Sequence, residues 1–168
     1  MKTASIKILK ANVIKNIEAL TYKRVDGVMS AQEAAVKNAL ATDVEEDLDK
    51  VLVSRFIEAR DAELRSKLAF CIINDEDEEL SATNDILDDD SFDFRLKVSD
   101  RFNKDRLKAL TQKIHQYYVE GATYDWYSKQ GIEYSVGEED LEKQLTSIAI
   151  SLRETFVKKP LQPFGPAK

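Results

Sequence analysis

A chain of 168 residues, 43% hydrophobic and 33% charged, has the make-up of one globular domain able to bury a core. Its single cysteine excludes an intrachain disulfide, and its single histidine excludes a two-histidine metal site within one chain. A net charge of −6 and an isoelectric point near 5.0 weigh against a dedicated nucleic-acid reader.

The first residues, Met1-Lys-Thr-Ala-Ser-Ile6, hold no long apolar stretch, so no signal peptide is expected. Ile6, Leu9, Val13, Ile14, Ile17 and Leu20 recur at spacings of three and four. That period predicts an amphipathic helix from about Ala4 to Tyr22, with lysines and asparagines on the opposite face. Gly27 should break it. Ser30-Ala-Gln-Glu33 fits a capping box and predicts a short helix over 31–40. Thr42-Asp-Val-Glu45 repeats the pattern and predicts a longer helix to about Leu68, with Val44, Leu48, Val51, Leu52, Phe56 and Ala59 on one face. Asp43, Glu45, Glu46 and Asp47 suit the helix dipole in its first turn. The longest apolar run, Leu68 to Ile73, is too short to span a membrane.

Residues 74–90 carry nine acidic side chains and no basic one. Without them, 22 acidic residues face 25 basic ones, so the rest of the chain is mildly basic. The segment lacks apolar periodicity and reads first as a solvated loop. A second reading is an acidic arm that docks on a partner's basic surface. Asp75-x-Asp77-x-Glu79 alternates like a calcium loop, but Leu80 stands where that loop needs glycine.

Phe92-Asp-Phe-Arg-Leu-Lys-Val98 is a clean strand pattern. Phe92, Phe94, Leu96 and Val98 point one way; Asp93, Arg95 and Lys97 point the other. Ser99 to Asn103 is a turn with two candidate N-caps. The following helix aligns Leu107, Leu110, Ile114, Tyr117 or Tyr118, Gly121 and Asp125. Gly121 costs about 1 kcal/mol there against alanine, which suggests a close crossing. Gly131 should end the helix. Ser135-Val-Gly-Glu138 is a third capping box, opening a helix with Leu141, Leu145, Ile148, Leu152 and Phe156 on one face. Lys158 and Lys159 suit its end and Pro160 stops it. The tail from Pro160 to Lys168 holds all three prolines and reads as an extended arm.

Little in this pattern supplies chemistry. His115 reads as a surface or packing histidine. Cys71, in Leu-Ala-Phe-Cys-Ile-Ile, sits in an apolar setting that makes a thiol inert. The five glycines form no phosphate loop. Lys7, Lys10, Lys15, Lys23 and Arg24, and again Arg101, Lys104, Arg106 and Lys108, read as solvated faces. The aromatic cluster Tyr117, Tyr118, Tyr124, Trp126 and Tyr127 holds four of six tyrosines and the only tryptophan. It reads as core or subunit contact rather than a base-stacking platform. The expectation is a protein that is not an enzyme, with no cofactor and no metal.

The strand at 92–98 needs a partner, since a lone strand leaves its backbone groups unpaired. Three are available: Phe70 to Ile73 folding back, Ile132 to Tyr134 as a short rung, or another chain by strand addition. The expected fold is mainly α: a bundle of about four helices with a small β element (strand 92–98) and a long acidic loop. A single helical domain covers 1–159, with the acidic loop inserted at 74–90, and 160–168 form an extended C-terminal arm. The strand and the arm protrude, so Phe92, Phe94, Leu96, Val98, Pro160, Pro163 and Phe164 are the candidate subunit-interface residues. A head-to-tail contact of this kind closes into a ring.

The order of elements carries a resemblance. A first helix ends near Ala-Leu-Thr-Tyr22, and an acid-capped helix opens at Asp43-Val-Glu-Glu-Asp-Leu-Asp49. The strand 92–98 leads into a helix with Tyr117-Tyr118-Val119 and Tyr124-Asp-Trp-Tyr127, and a last helix runs into a basic, proline-rich end. This order resembles the small head–tail connector (neck or adaptor) proteins of tailed bacteriophages and prophages. The resemblance implies a virion structural protein, synthesised in the host cytoplasm and placed in the neck. It implies a homo-oligomeric ring that joins portal and tail proteins. DNA would pass through its channel without sequence-specific binding, and no membrane would be involved. The alternative is a non-catalytic helical adaptor or regulatory protein that binds a cellular partner.

Overall fold

A computed structural model describes residues 1–26, 47–73 and 91–153. The expected helix over 31–40, the capping boxes at Ser30 and Thr42, the acidic segment 74–90 and the arm 160–168 lie outside the described residues. Among the described residues there are two strands and four helices. In chain order they are β1 (Lys2–Leu9), α1 (Lys10–Asp26), α2 (Asp47–Leu68), β2 (Ser91–Val98), α3 (Lys104–Lys129) and α4 (Glu138–Arg153). The fold is mainly helical with a small antiparallel sheet, as the sequence pattern requires.

The main correction lies at the start. The first helix begins at Lys10, not near Ala4, and residues 2–9 form β1. β1 pairs antiparallel with β2 from Lys2 opposite Val98 to Leu9 opposite Ser91. Ala4, Ile6 and Ile8 alternate with polar residues, and all three are buried. The same stretch also carries Ile6 and Leu9 at helical spacing, so two periods compete in one short segment. Pairing with β2 decides for period two, because it satisfies the backbone of both strands and buries one face of each. Leu9, assigned to the helical stripe, is left 45% exposed.

The strand's main partner is therefore β1, a segment not among the three expected, while one of the three, Phe70 to Ile73, pairs with it in part. Residues 71–73 do contribute on the opposite edge of β2. Ile72 bridges Leu96, Ile73 N donates to Arg95 O at 2.8 Å, and Lys97 N donates to Cys71 O at 2.7 Å. Residues 132–134 form no strand; Tyr134 instead stacks on Tyr127, with ring centroids 5.4 Å apart.

α3 is the central element, packed against β1, α1, α2 and α4. Its N-cap is Asn103, whose Oδ1 accepts from Arg106 N at 2.9 Å. Its end is fixed by Gly131 at φ +70°, a left-handed conformation that favours glycine. Tyr117, Tyr118, Trp126 and Tyr127 are buried, so the aromatic cluster is core. Phe92 packs on Tyr118 with ring centroids 5.3 Å apart, joining the sheet to α3.

α4 buries Leu141, Leu145, Ile148, Ala149 and Leu152, close to the expected stripe. Its start differs by two residues. Gly137 precedes the first turn, and its N–H donates to Asp140 Oδ2 at 3.2 Å. The reciprocal contact thus comes from Asp140, and Glu138 is free to reach another helix. Buried residues from every element form one core cluster.

Candidate functional site

α2 presents a different face from the one expected. Val53, Ile57, Arg60, Leu64 and Leu68 are buried, at spacings of four, three, four and four, while Ala59 is exposed. An arginine in the middle of the stripe hides its period from a hydrophobicity reading. Arg60 is only 4% exposed. Its guanidinium grips Asp125 of α3 through both carboxylate oxygens, at 2.9 Å from Nε and 2.7 Å from Nη2. The other edge reaches Glu138 of α4 at 3.1 and 3.3 Å and Glu63 of α2 at 3.1 Å. Burial alone would lower the Arg60 pKa, but the Asp125 and Glu138 hydrogen bonds outweigh it and hold the group protonated.

Gly121 makes room for this side chain. A Cβ at that position would stand 3.0 Å from Arg60 Cγ and Cδ. The glycine marks the passage of an arginine between helices, which is the close crossing in a specific form. Tyr117 donates to Glu63 Oε2 at 2.7 Å, and Tyr118 donates to Asp61 Oδ1 at 2.6 Å. Asp61 also accepts from Arg65, whose guanidinium lies 4.4 Å from the centre of the Phe94 ring. Burial pushes both tyrosine pKa values up, and the neighbouring carboxylates add to it. This network ties α2, α3 and α4 together. It presents no open nucleophile, and its only cations are held by carboxylates.

The residues expected to contact other subunits divide in two. Phe92, Phe94, Leu96 and Val98 are 6%, 1%, 0% and 1% exposed and belong to the chain's own core. With β1 on one edge of β2 and residues 71–73 on the other, that strand is paired within the chain over the stretch that carries Leu96. Pro160, Pro163 and Phe164 lie outside the described residues.

Two surface features remain. The first is a pole where chain segments converge. Phe70 is 45% exposed, and Arg153 stacks 4.7 Å from its ring centre. Met1 and Lys97 line the same hollow, and the Met1 amino group pairs with Asp100 at 2.9 Å. Residue 73 is the last described residue before the acidic segment, and Arg153 is the last described residue of the chain. Cys71 lies just beneath. Burial raises its thiol to about 11, against the charge of Arg153, which disfavours the reactive thiolate.

The second is an open groove of about 660 Å³ between α1 and α3, beside the end of β1. Its lining is more apolar than polar, with Leu9, Leu20 and Val119 beside Asn16, His115 and Glu120. Asn16 Nδ2 lies 2.7 Å from His115 Nε2, an arrangement that suits a neutral imidazole accepting from the amide. Burial lowers the His115 pKa and favours the same form. His115 is thus a packing residue at the groove wall.

Among the described residues no cluster of His, Cys, Asp and Glu could hold a metal ion, and no helix is long and apolar enough to cross a membrane. The calcium-like stretch 75–80 lies outside the described residues. No family model, no curated protein and no solved structure matches this chain.

Proposed function

We propose that the chain is a subunit of the head–tail connector of a tailed phage or prophage. It would form an oligomeric ring that joins portal to tail and continues the DNA channel. Support comes from the order of elements in the sequence. One structural observation supports it: Ile73 and Arg153, the last described residues before the acidic segment and before the C-terminal stretch, lie on the side of the helical body that carries exposed Phe70. A body braced by Arg60, with an acidic and a proline-rich stretch of sequence joined to it there, suits a subunit that reaches its neighbours. The test is light scattering coupled to size exclusion, with the protein alone and mixed with a portal ring. The expected result is a stable complex with the portal. A strict monomer that leaves the portal unbound would overturn the reading.

The α1–α3 groove favours the other reading, a helical adaptor for a cellular partner. That reading predicts a discrete complex with one partner and no ring.

A further inference from the structure

The direction of the backbone hydrogen bonds shows which edge of the sheet is open. Arg95 and Lys97 use their O and N towards residues 71–73. A residue's N–H and C=O point to the same side of a strand, and successive residues alternate. Phe94 and Leu96 therefore turn theirs towards β1, where they face Ile6 and Ala4. On β1 the even residues serve this ladder. Thr3, Ser5 and Lys7 turn their N–H and C=O groups to the outer edge, and no described residue bonds them there. All three residues are exposed.

This edge carries little of the usual protection. It has no proline and no bulge, and its central inward residues are Ala4, Ile6 and Ile8; its charges are Lys2 at the start and Lys7 on the solvent face. An eight-residue regular strand with one edge that no described residue pairs is a template for another strand.

We infer that this edge is taken by β1 of a second copy, antiparallel, so that two sheets join into one around a two-fold axis. Side-chain parity restricts the register. Opposed residues must share a face, so the pairing centres on a residue and never between two, and Ser5 and Ile6 are the centres that keep most of Lys2–Leu9 paired. In both registers Lys7 meets a partner hydroxyl, Thr3 in the first and Ser5 in the second, and never another lysine. The register centred on Ile6 also sets exposed Leu9 against Thr3 of the second copy and Ala4 against Ile8, which extends the apolar face unbroken. That register is the one assigned. The contact is isologous and closes at two copies. It is therefore distinct from a head-to-tail ring contact and does not rest on the connector reading.

Ser5→Pro tests the pairing. Proline removes the outward N–H of Ser5 and spares every bond between β1 and β2. Light scattering of the wild type should give a concentration-dependent dimer. Ser5→Pro should stay monomeric at the same concentrations while keeping its helical circular dichroism. Wild type that stays monomeric throughout, or a folded Ser5→Pro protein that dimerises equally, overturns the inference. If Ser5→Pro fails to fold, Ile6→Cys in a Cys71→Ala background decides. Opposed Ile6 positions form a non-hydrogen-bonded pair with Cα atoms about 4.5 Å apart, within disulfide range. Oxidation should then give a covalent dimer, and its absence refutes the register. Adding a portal ring separates the two ideas. Portal binding by both proteins with no dimer sinks this inference and leaves the connector reading standing. A Ser5-dependent dimer that ignores the portal does the reverse.

Discussion

Replacing Arg60 with methionine keeps the length of the side chain and removes the cation that three helices share. The cost follows from what is stranded. Asp125 is 22% exposed at its side chain, while Glu63 and Glu138 are 50% and 62% exposed. The two glutamates regain water, and exposed pairs of this kind are worth about 0–1 kcal/mol each. Asp125 does not, and breaking a buried pair costs about 3–5 kcal/mol. Its partial exposure puts the total near the lower limit, about 3 kcal/mol. With a urea m-value of about 2 kcal/mol/M, the unfolding midpoint should fall by about 1.5 M. Arg60→Met with Asp125→Asn should recover about 1 kcal/mol, because the stranded charge is gone. Equilibrium urea unfolding followed by circular dichroism measures both. A midpoint shift below about 0.4 M for Arg60→Met would show that the network contributes little and that α4 is held by its apolar stripe alone.

Gly121→Ala should cost about 1–3 kcal/mol, because a Cβ 3.0 Å from Arg60 Cγ and Cδ forces the arginine to shift, and thermal unfolding would show it. Leu96→Asp should prevent folding, not merely assembly, since Leu96 is fully buried between β1 and residues 71–73; a soluble, helical Leu96→Asp protein would contradict the core placement. Tyr117 and Tyr118 have folded pKa values raised above their ordinary 10, so the protonated form is favoured in the fold. Their stabilisation is complete below pH 10 and is lost as pH climbs beyond it. Absorbance at alkaline pH should show these two phenols ionising together with unfolding. Ionisation while the helices persist would refute their burial. Cys71, raised to about 11, should resist a thiol reagent at pH 8 until urea unfolds the chain.

What could be read from residues alone was set by whether one period stood unopposed. β2, α3 and α4 each carry a single strong period, and each appears nearly where the pattern places it. Gly131 likewise marks a left-handed turn. The misses share a cause. β1 and the start of α1 overlap in a stretch that satisfies both periods, and only a strand about ninety residues away decides between them. The α2 stripe runs through Arg60, a residue that no hydrophobicity count assigns to a core. The signal was present as a pair: a helix glycine at 121 and a carboxylate one turn later at 125. Together they leave space and charge for one buried cation. Glu138 fits a capping box by its spacing from Ser135, yet Asp140 fills that role and Glu138 turns to α2.

The pairing of β1 with β2 also shapes how the chain comes into being. Lys2 finds Val98, and Leu9 finds Ser91, across most of the length between them. During synthesis the first strand emerges long before its mate, with Ala4, Ile6 and Ile8 displayed on one side. α1 and α2 can coil locally meanwhile, but the sheet must wait until β2 leaves the ribosome. Closing so long a loop is slow and carries no reward until the last residues meet. Refolding should therefore show early helix formation and a later, rate-limiting step in which the N-terminus docks. Residues 2–9 would be the last to gain protection from hydrogen exchange and the first to lose it.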